Sequence, residues 1–256
     1  MKKIICLLGF SALVFTSCSS GDSSSTTTES DVLVTKTIET YANDGSTVTT
    51  NYSYNGKKMV KATDSDGYYE KYTYTGDLLT KVEYFSDADE LEETETFTYN
   101  TSGKLATYVR SEWIVDQGVR EEFVYNSNGT VSTTTYSGTP TLQTFPLNTS
   151  VVYFSGSEVS MTELYNGSAL ASMHTYTYDT KNNPFNNVTG FDKIAVIEAE
   201  SVGLIHNILT DTYSESSNTF TYNNVYTYNS LNFPLTNADT EGTDATTTIT
   251  TQYFYN

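Results

Sequence analysis

One short pattern recurs along this chain: two aromatic residues separated by one residue, then a glycine turn, then an apolar residue. Its first copy runs from Tyr52 to Met59 through Gly56. Alternating segments around such a turn are the strongest local signal of a β-hairpin, and aromatic residues favour pleated, half-buried surfaces. The pattern therefore predicts strand, turn and strand. Further copies lie at Tyr72–Leu79, Phe97–Leu105 and Phe123–Val131. Looser copies lie at Tyr153–Val159, where the two aromatics are adjacent, and at Tyr176–Phe185 and Tyr226–Leu235, whose turns contain Asn-Pro or Phe-Pro instead of glycine.

Two turn lengths predict two pairings. Two-residue turns such as Asn55-Gly56 fit type I′ geometry, which places Tyr52 opposite Met59. By the same rule Tyr72 faces Leu79 and Val152 faces Val159. Four-residue turns ending in glycine fit a type I turn with a bulge. They place Tyr99 opposite Leu105 and Tyr125 opposite Val131.

The repeated hairpins predict an all-β domain over residues 31–256. We expect an antiparallel meander of β-hairpins forming a long twisted, curved sheet. Two stretches interrupt the pattern: a candidate seam at 138–147 and an irregular insert at 184–215. Helical spacing within 188–210 predicts a short helix or irregular cover there, with Asp192 as a candidate N-cap. The strand pattern is expected to resume at Thr219.

Two copies carry a family resemblance. Tyr176-Thr-Tyr178-Asp179, and Tyr99 followed by Gly103-Lys-Leu105, resemble the YD repeat of RHS-type proteins. That resemblance implies β-hairpins in a spiralling antiparallel sheet. No toxin domain follows the hairpins, so the toxin-enclosing role of large RHS shells is not carried over.

The N-terminus resembles a bacterial lipoprotein signal. A basic start is followed by the apolar stretch 4–15 and by Thr16-Ser17-Cys18, which is similar to a lipobox. The resemblance implies a signal peptide at 1–17, a lipid on Cys18 and a Ser/Thr-rich tether at 18–30. It implies an outer-membrane protein similar to lipoproteins of Bacteroidota. The alternative is an ordinary secretory signal with a chance cysteine.

The composition limits the partners and the redox chemistry. The formal net charge is −18, with 31 Asp and Glu against 13 Lys and Arg. Such a chain is repelled by nucleic acid, so no nucleic-acid partner is expected. Because Cys6 lies in the signal and Cys18 is the anchor, no disulfide can staple the domain.

The aromatic pairs have two interpretations. They are either the core of the sheet, held by cross-strand aromatic contacts, or an open platform for glycans or peptides, because tyrosine combines a flat apolar face with a polar tip. The candidate platform residues are Tyr52, Tyr54, Tyr72, Tyr74, Tyr99, Tyr125, Tyr176 and Tyr178.

Acidic turns provide weak calcium candidates. Asp64, Asp66, Asp87 and Asp89 supply closely spaced oxygens, but ordinary turn chemistry explains Asp-Gly equally well. The acidic run from Glu90 to Glu95 is interpreted as a solvated face or as protection against edge pairing.

The histidines offer no obvious catalytic centre. His174 and His206 lie in different segments, and His174 is interpreted as a half-exposed sheet residue. We therefore expect no zinc site and no cofactor.

The expected function is non-enzymatic: a structural, adhesive or polymer-binding lipoprotein. Its partners would be the membrane, through the lipid on Cys18, and a glycan or an envelope protein. Known motifs for acyl transfer, phosphate binding and dinucleotide binding do not occur in the sequence. The alternative is an envelope glycan hydrolase that uses a pair of surface carboxylates.

Overall fold

The chain forms a closed antiparallel β-barrel. A computed structural model describes residues 32–197, 205–241 and 246–256. Within them, sixteen strands pair in sequence order, and β1 closes the sheet against β16. The elements are β1 Val34–Tyr41, β2 Thr47–Asn55, β3 Lys58–Asp64, β4 Tyr69–Thr75, β5 Leu78–Phe85, β6 Leu91–Tyr99, β7 Leu105–Glu112, β8 Gln117–Tyr125, β9 Val131–Thr139, β10 Leu142–Ser155, β11 Glu158–Asn166, β12 Ala169–Asn182, α1 Phe191–Ile194, β13 His206–Glu215, β14 Asn218–Tyr228, β15 Pro234–Glu241 and β16 Thr246–Tyr255.

The predicted all-β meander is confirmed, but the open sheet is wrong. Val34 lies opposite Tyr255 and Tyr41 lies opposite Ile249, so the first and last strands pair along their length. An open sheet would leave a row of unpaired backbone groups on each edge strand, and closure removes both edges. The strand pattern also resumes at His206, earlier than the predicted Thr219.

The strand order gives the barrel two distinct ends. Turns at Gly56, Gly76, Gly103 and Gly129 lie at the end where β1 begins and β16 finishes. We call this the plug end. The alternate turns, among them residues 113–116 and 140–141, lie at the opposite end, which we call the mouth end.

A β-bulge follows the glycine turn in the short hairpins and changes their predicted register. Tyr54 faces Met59 and Tyr74 faces Leu79. Tyr52 and Tyr72 were predicted at these positions, so each predicted pairing is wrong by two residues. Only the glycine of each turn has positive φ, which fits type II′ geometry and not type I′.

The remaining short hairpin departs in the same way, whereas the long hairpins match the prediction. Phe154, and not the predicted Val152, faces Val159. In the long hairpins, Tyr99 faces Leu105 and Tyr125 faces Val131, as predicted.

The bulge has a consequence for the lumen. Leu79 and Val82 are three residues apart, yet both are buried in the same cluster. An extra residue in one strand lets both side chains point inward. The shared inner face of the aromatic pairs is confirmed by this cluster.

The second tyrosine of several pairs ties neighbouring hairpins together. Tyr99 donates its hydroxyl to the carbonyl of Leu79 at 2.7 Å. The acceptor lies at the start of the preceding strand, beside the bulge. The same bond recurs around the plug end, from Tyr54 to Val34 at 2.7 Å, from Tyr178 to Val159 at 2.7 Å and from Tyr255 to Pro234 at 2.6 Å.

Residues 183–197 close the plug end, and we call them the plug segment. Phe185 packs edge-on against Tyr52, and Phe191 lies 6.1 Å from Tyr72 between ring centroids. The Thr189 N–H donates to the carbonyl of Lys57 at 3.0 Å. The plug segment thereby joins the two apolar clusters of the barrel interior.

The plug segment holds the predicted short helix, but not its predicted cap. The helix α1 spans only Phe191–Ile194, and Gly190 occupies its N-cap position without a side-chain hydrogen bond. Asp192 lies inside the first turn. No helix among the described residues is long and apolar enough to cross a membrane.

The outer face of the wall carries many polar side chains, with exposed apolar residues such as Val124 and Val225 among them. Threonine hydroxyls bond across neighbouring strands, as between Thr177 and Thr210 at 2.6 Å. Lys81 pairs with Glu83 at 2.9 Å on the same face. The candidate seam at 138–147 is occupied by the turn between β9 and β10 and by the irregular start of β10.

Replacing Tyr99 with phenylalanine tests the inter-hairpin hydrogen bond. Tyr99→Phe keeps the ring in the core and removes only the hydroxyl, so we expect a loss of about 1 kcal/mol in the free energy of unfolding, measured in urea. Tyr136→Phe, on the outer face, is the control and should change it by less than about 0.5 kcal/mol. Equal effects of the two substitutions would contradict the role of this bond.

Gly190→Ala tests how closely the plug segment contacts the wall. Gly190 has φ of +86°, and a Cβ there would lie 3.1 Å from the Asp77 carbonyl oxygen. Gly45 also has positive φ, but its added Cβ would meet nothing within 4 Å. Both substitutions carry a backbone cost of about 1–2 kcal/mol. We expect Gly190→Ala to lower the unfolding free energy by about 1 kcal/mol more than Gly45→Ala; the reverse order would show a loose plug.

Candidate functional site

The mouth half of the lumen contains a cavity of about 200 Å³. Val196 and Ile197 of the plug segment form part of its lining at the apolar side. Hydroxyl and amide side chains line the wall, including Asn148 and Ser150 of β10. The cavity therefore grades from apolar near the plug to polar near the mouth.

Carboxylates dominate the charged side chains of this half. Glu121 lines the cavity and alternates with Phe123, which is buried in the core cluster. Glu95 is 8% exposed and alternates with Phe97 of the same cluster. These positions were not among the predicted site residues, because the Glu90–Glu95 run was interpreted as a solvated face or as protection against edge pairing. The alternation of side chains along a strand could have identified them: Glu93 and Glu95 lie four and two residues before Phe97 and share its face, whereas Glu92 does not.

Tyrosine hydroxyls hold the buried carboxylate of Glu95. Tyr108 donates to its Oε1 at 2.6 Å and Tyr84 donates to its Oε2 at 2.9 Å. Burial, followed by the charges of Glu95 and Glu70, raises the pKa of Tyr84 well above its ordinary value. The Tyr84 phenol therefore remains a neutral donor to Glu95.

Arg110 shows the sign of the electrostatic field in the lumen. It lies opposite Glu95 on β6, and its Nε is 3.1 Å from Oε1 of Glu112. Burial disfavours its charge, yet Tyr108, Glu112 and Glu93 outweigh that effect and raise the pKa of Arg110. The acidic groups around Arg110 thus stabilise its positive charge.

His174 lies on strand β12, as expected, with a partly buried side chain that lines the lumen. Its Nδ1 lies 2.9 Å from Oδ1 of the buried Asp211, and its ring stacks on Tyr176. It also lines the cavity. His206 is held separately, with its Nδ1 3.0 Å from Oε1 of Glu158.

The structure brings the candidate platform tyrosines together inside the barrel. Tyr52 and Tyr176 are buried, and the others are partly buried against the two core clusters. They line the plug half of the lumen and support the plug segment. The group comprises Tyr52, Tyr54, Tyr72, Tyr74, Tyr99, Tyr125, Tyr176 and Tyr178.

The acidic turn residues serve the backbone. Asp64 accepts hydrogen bonds from the N–H groups of Asp66 and Tyr68, each at 2.9 Å, and Asp89 accepts one from the Tyr69 hydroxyl. Asp66 and Asp87 are exposed. The described ranges hold no cluster of three side chains suited to a metal ion. Cys18, with the signal 1–17 and the tether 18–30, lies outside the described residues.

Comparison with known proteins identifies the architecture. A porin-like protein from Bacteroides vulgatus matches with a TM-score of 0.57 and 13% identity, over 88% of this chain and 99% of that chain. A porin-like protein from Bacteroides uniformis matches with a TM-score of 0.51 and 12% identity, over 87% and 96%. At such identities the similarity establishes the fold alone. No protein-family model and no curated protein matches the chain.

The resemblance to YD repeats of RHS-type proteins is wrong. The chain is a closed barrel of sixteen described strands with porin-like structural neighbours, and no family model supports a YD repeat. The aromatic pattern recurs for a geometric reason. Most hairpins direct an aromatic pair into the same lumen, and the hairpin of β10 and β11 directs Val152 and Phe154 there, so successive hairpins meet the same packing requirement.

The buried tyrosines should make the barrel sensitive to alkali. Burial raises the pKa of Tyr74 from 10.0 to about 12, and burial also raises the pKa of Tyr99 and of Tyr178. The folded state favours the neutral phenol, so this stability is complete below about pH 10 and is lost as the pH rises toward 12 and beyond.

We expect the tyrosinate absorbance of the folded chain to appear at higher pH than that of the chain unfolded in guanidinium. Circular dichroism recorded in the same titration reports whether the barrel remains folded. If every tyrosine ionised near pH 10 with the barrel intact, the buried arrangement would be contradicted.

Proposed function

We propose that this chain is a lipid-anchored envelope protein whose barrel is a plugged, water-exposed binding cup. The observation that carries the proposal is the division of the lumen into an apolar, plugged half and a polar, acidic half with a cavity. A ligand would enter through the mouth and be held there without chemical change.

The plug segment supports a cup and argues against a through-channel. Phe185 packs against Tyr52, Phe191 packs against Tyr72, and Val188 is buried in the cluster that contains Tyr52. Moving the plug segment would expose this apolar surface, at about 25 cal/mol for each Å². The porin-like neighbours share the fold, but the arrangement of side chains in this lumen favours binding over conduction.

The outer wall supports a barrel that stands in water. A barrel that spans a membrane presents an apolar band to lipid, and Arg or Lys at its mid-plane costs about 2–4 kcal/mol. Here the outer face carries the ion pair of Lys81 with Glu83, the contact of Arg120 with Glu122, and threonine pairs such as Thr227 with Thr236. These groups favour water as the surrounding medium.

The lipid on Cys18 would then hold the protein at the outer membrane. The described chain begins at Val32, next to the plug end. A tether from Cys18 to Val32 reaches about 45 Å when fully extended. Anchoring at this end leaves the mouth free to face away from the membrane.

The alternative function, a glycan hydrolase, gains less support. Such enzymes use two carboxyl groups facing each other across the substrate. The buried Glu95 is occupied by two tyrosine hydroxyls, and Glu70 accepts a hydrogen bond from Tyr72. These bonds give both carboxylates a structural role in the wall.

Cys18→Ala in the full chain tests the anchor. In a bacterial host fed an alkyne fatty acid, we expect this variant to lose both the label and its membrane association while the barrel stays folded. Cys6→Ala, within the signal, is the matched control and should keep both. Retention after carbonate extraction of Cys18→Ala molecules that mass spectrometry shows to lack residues 1–17 would show that the wall itself is inserted, and would refute the proposal.

A further inference from the structure

An apolar surface lies at the mouth end beside the cavity, and we call it the brim patch. It combines the turn between β7 and β8 with the start of β10. Its side chains are unusually exposed for their size, with Phe145 at 72%, Leu142 at 63% and Ile114 at 59%. The full set is Trp113, Ile114, Val115, Leu142, Phe145 and Leu147.

The two parts of the brim patch are held side by side. The Ser111 hydroxyl, just before the Trp113 turn, donates to the carbonyl of Pro140 at 2.8 Å. Gly118 leaves no room for a Cβ against the backbone of Thr139. The tip of β9 and β10 therefore packs directly on β7 and β8, which places the two parts of the patch at the same place on the mouth end.

The brim patch borders the lumen. Phe145 pairs with Ser137, which pairs with Val119 on the opposite side. Val119 and Glu121 share the inner face of β8, since both alternate with the buried Phe123. An apolar group bound on Phe145 thus lies near the cavity wall that carries Glu121.

The charge beside the patch is negative. Glu93, Glu112 and Glu121 share the inner faces of β6, β7 and β8, where Arg110 supplies the opposing charge. The whole chain carries a formal charge of −18. A cation entering the mouth is attracted, because an acidic cleft with low-dielectric walls concentrates the field.

We propose that the brim patch and the acidic mouth together bind a basic, amphipathic polypeptide segment of a partner protein. Apolar side chains of the segment would lie on Phe145 and Ile114, and a Lys or Arg would enter the lumen toward Glu121. This proposal rests on the binding cup proposed above and names the class of its ligand.

The other occupants fit less well. A membrane surface of anionic lipids would be repelled by the acidic chain. A neutral glycan would gain nothing from the carboxylates as charges, and the brim patch is mostly aliphatic, whereas sugars are usually held on flat aromatic faces. Both therefore serve as outcomes of the test.

The test measures binding of defined peptides to the full chain in nanodiscs of zwitterionic lipid. The probe is a fluorescent ten-residue peptide alternating leucine and lysine, followed by anisotropy. Matched peptides replace lysine with glutamate or leucine with serine. We expect each replacement to weaken binding by about tenfold or more. Added salt should weaken binding of the leucine–lysine peptide.

Paired variants locate the site. Glu121→Gln and Phe145→Ser should each weaken binding of the leucine–lysine peptide by about fivefold or more. Glu122→Gln and Val124→Ser are the controls, because both side chains lie on the outer face of the same strand β8. The controls should leave the affinity within about twofold, and circular dichroism confirms that every variant is folded.

Three results would overturn the inference: no binding of the leucine–lysine peptide, equal binding of its glutamate counterpart, or equal loss in the control variants. Binding of anionic vesicles, or of cellohexaose, in place of the peptide would also overturn it. A result of this kind with the Cys18 prediction upheld would reject the ligand class and leave the anchored cup standing.

Discussion

The structure depends on filling one half of a wide, closed barrel. A sixteen-strand wall encloses more space than its own aliphatic side chains occupy, and most hairpins fill it with an inward aromatic pair. The hydroxyl of the second tyrosine then bonds to the neighbouring hairpin, as Tyr99 does with Leu79. The same residue thus fills the lumen and connects the wall, and the plug segment completes the packing.

The acidic mouth half follows from this division. Because the apolar packing that stabilises the barrel is concentrated at the plug end, the inner faces near the mouth can carry polar and charged groups. Their partners are supplied locally: tyrosines for Glu95, Glu112 for Arg110, and Asp211 for His174. A polar lumen whose groups are bonded to the wall keeps its shape, which is the condition for selective binding.

Much of the fold could be predicted from local residues, and the closure could not. Glycine turns and alternation predicted the hairpins, and the inner face of Tyr99 and Leu105 was correct. The pairing of Val34 with Tyr255 depends on curvature accumulated over the whole sheet, which no local pattern encodes. The bulge after Gly56 also lacks a clear signal. In the lumen, the alternation of Glu95 with Phe97 along the strand was sufficient to predict that Glu95 points inward. Its two tyrosine partners could be identified only from the three-dimensional structure.

The pairing of β1 with β16 has a consequence for how the chain reaches its native state. These strands join residues at opposite ends of the polypeptide, such as Val34 and Tyr255. While the chain folds, β1 keeps an unpaired edge until the last strand is available to pair with it. Barrel completion is therefore a late, non-local event, and such topologies fold slowly and expose aggregation-prone edges meanwhile. Loss of even the final strand would leave two open edges, so the complete barrel is the smallest unit in which every strand is paired on both sides.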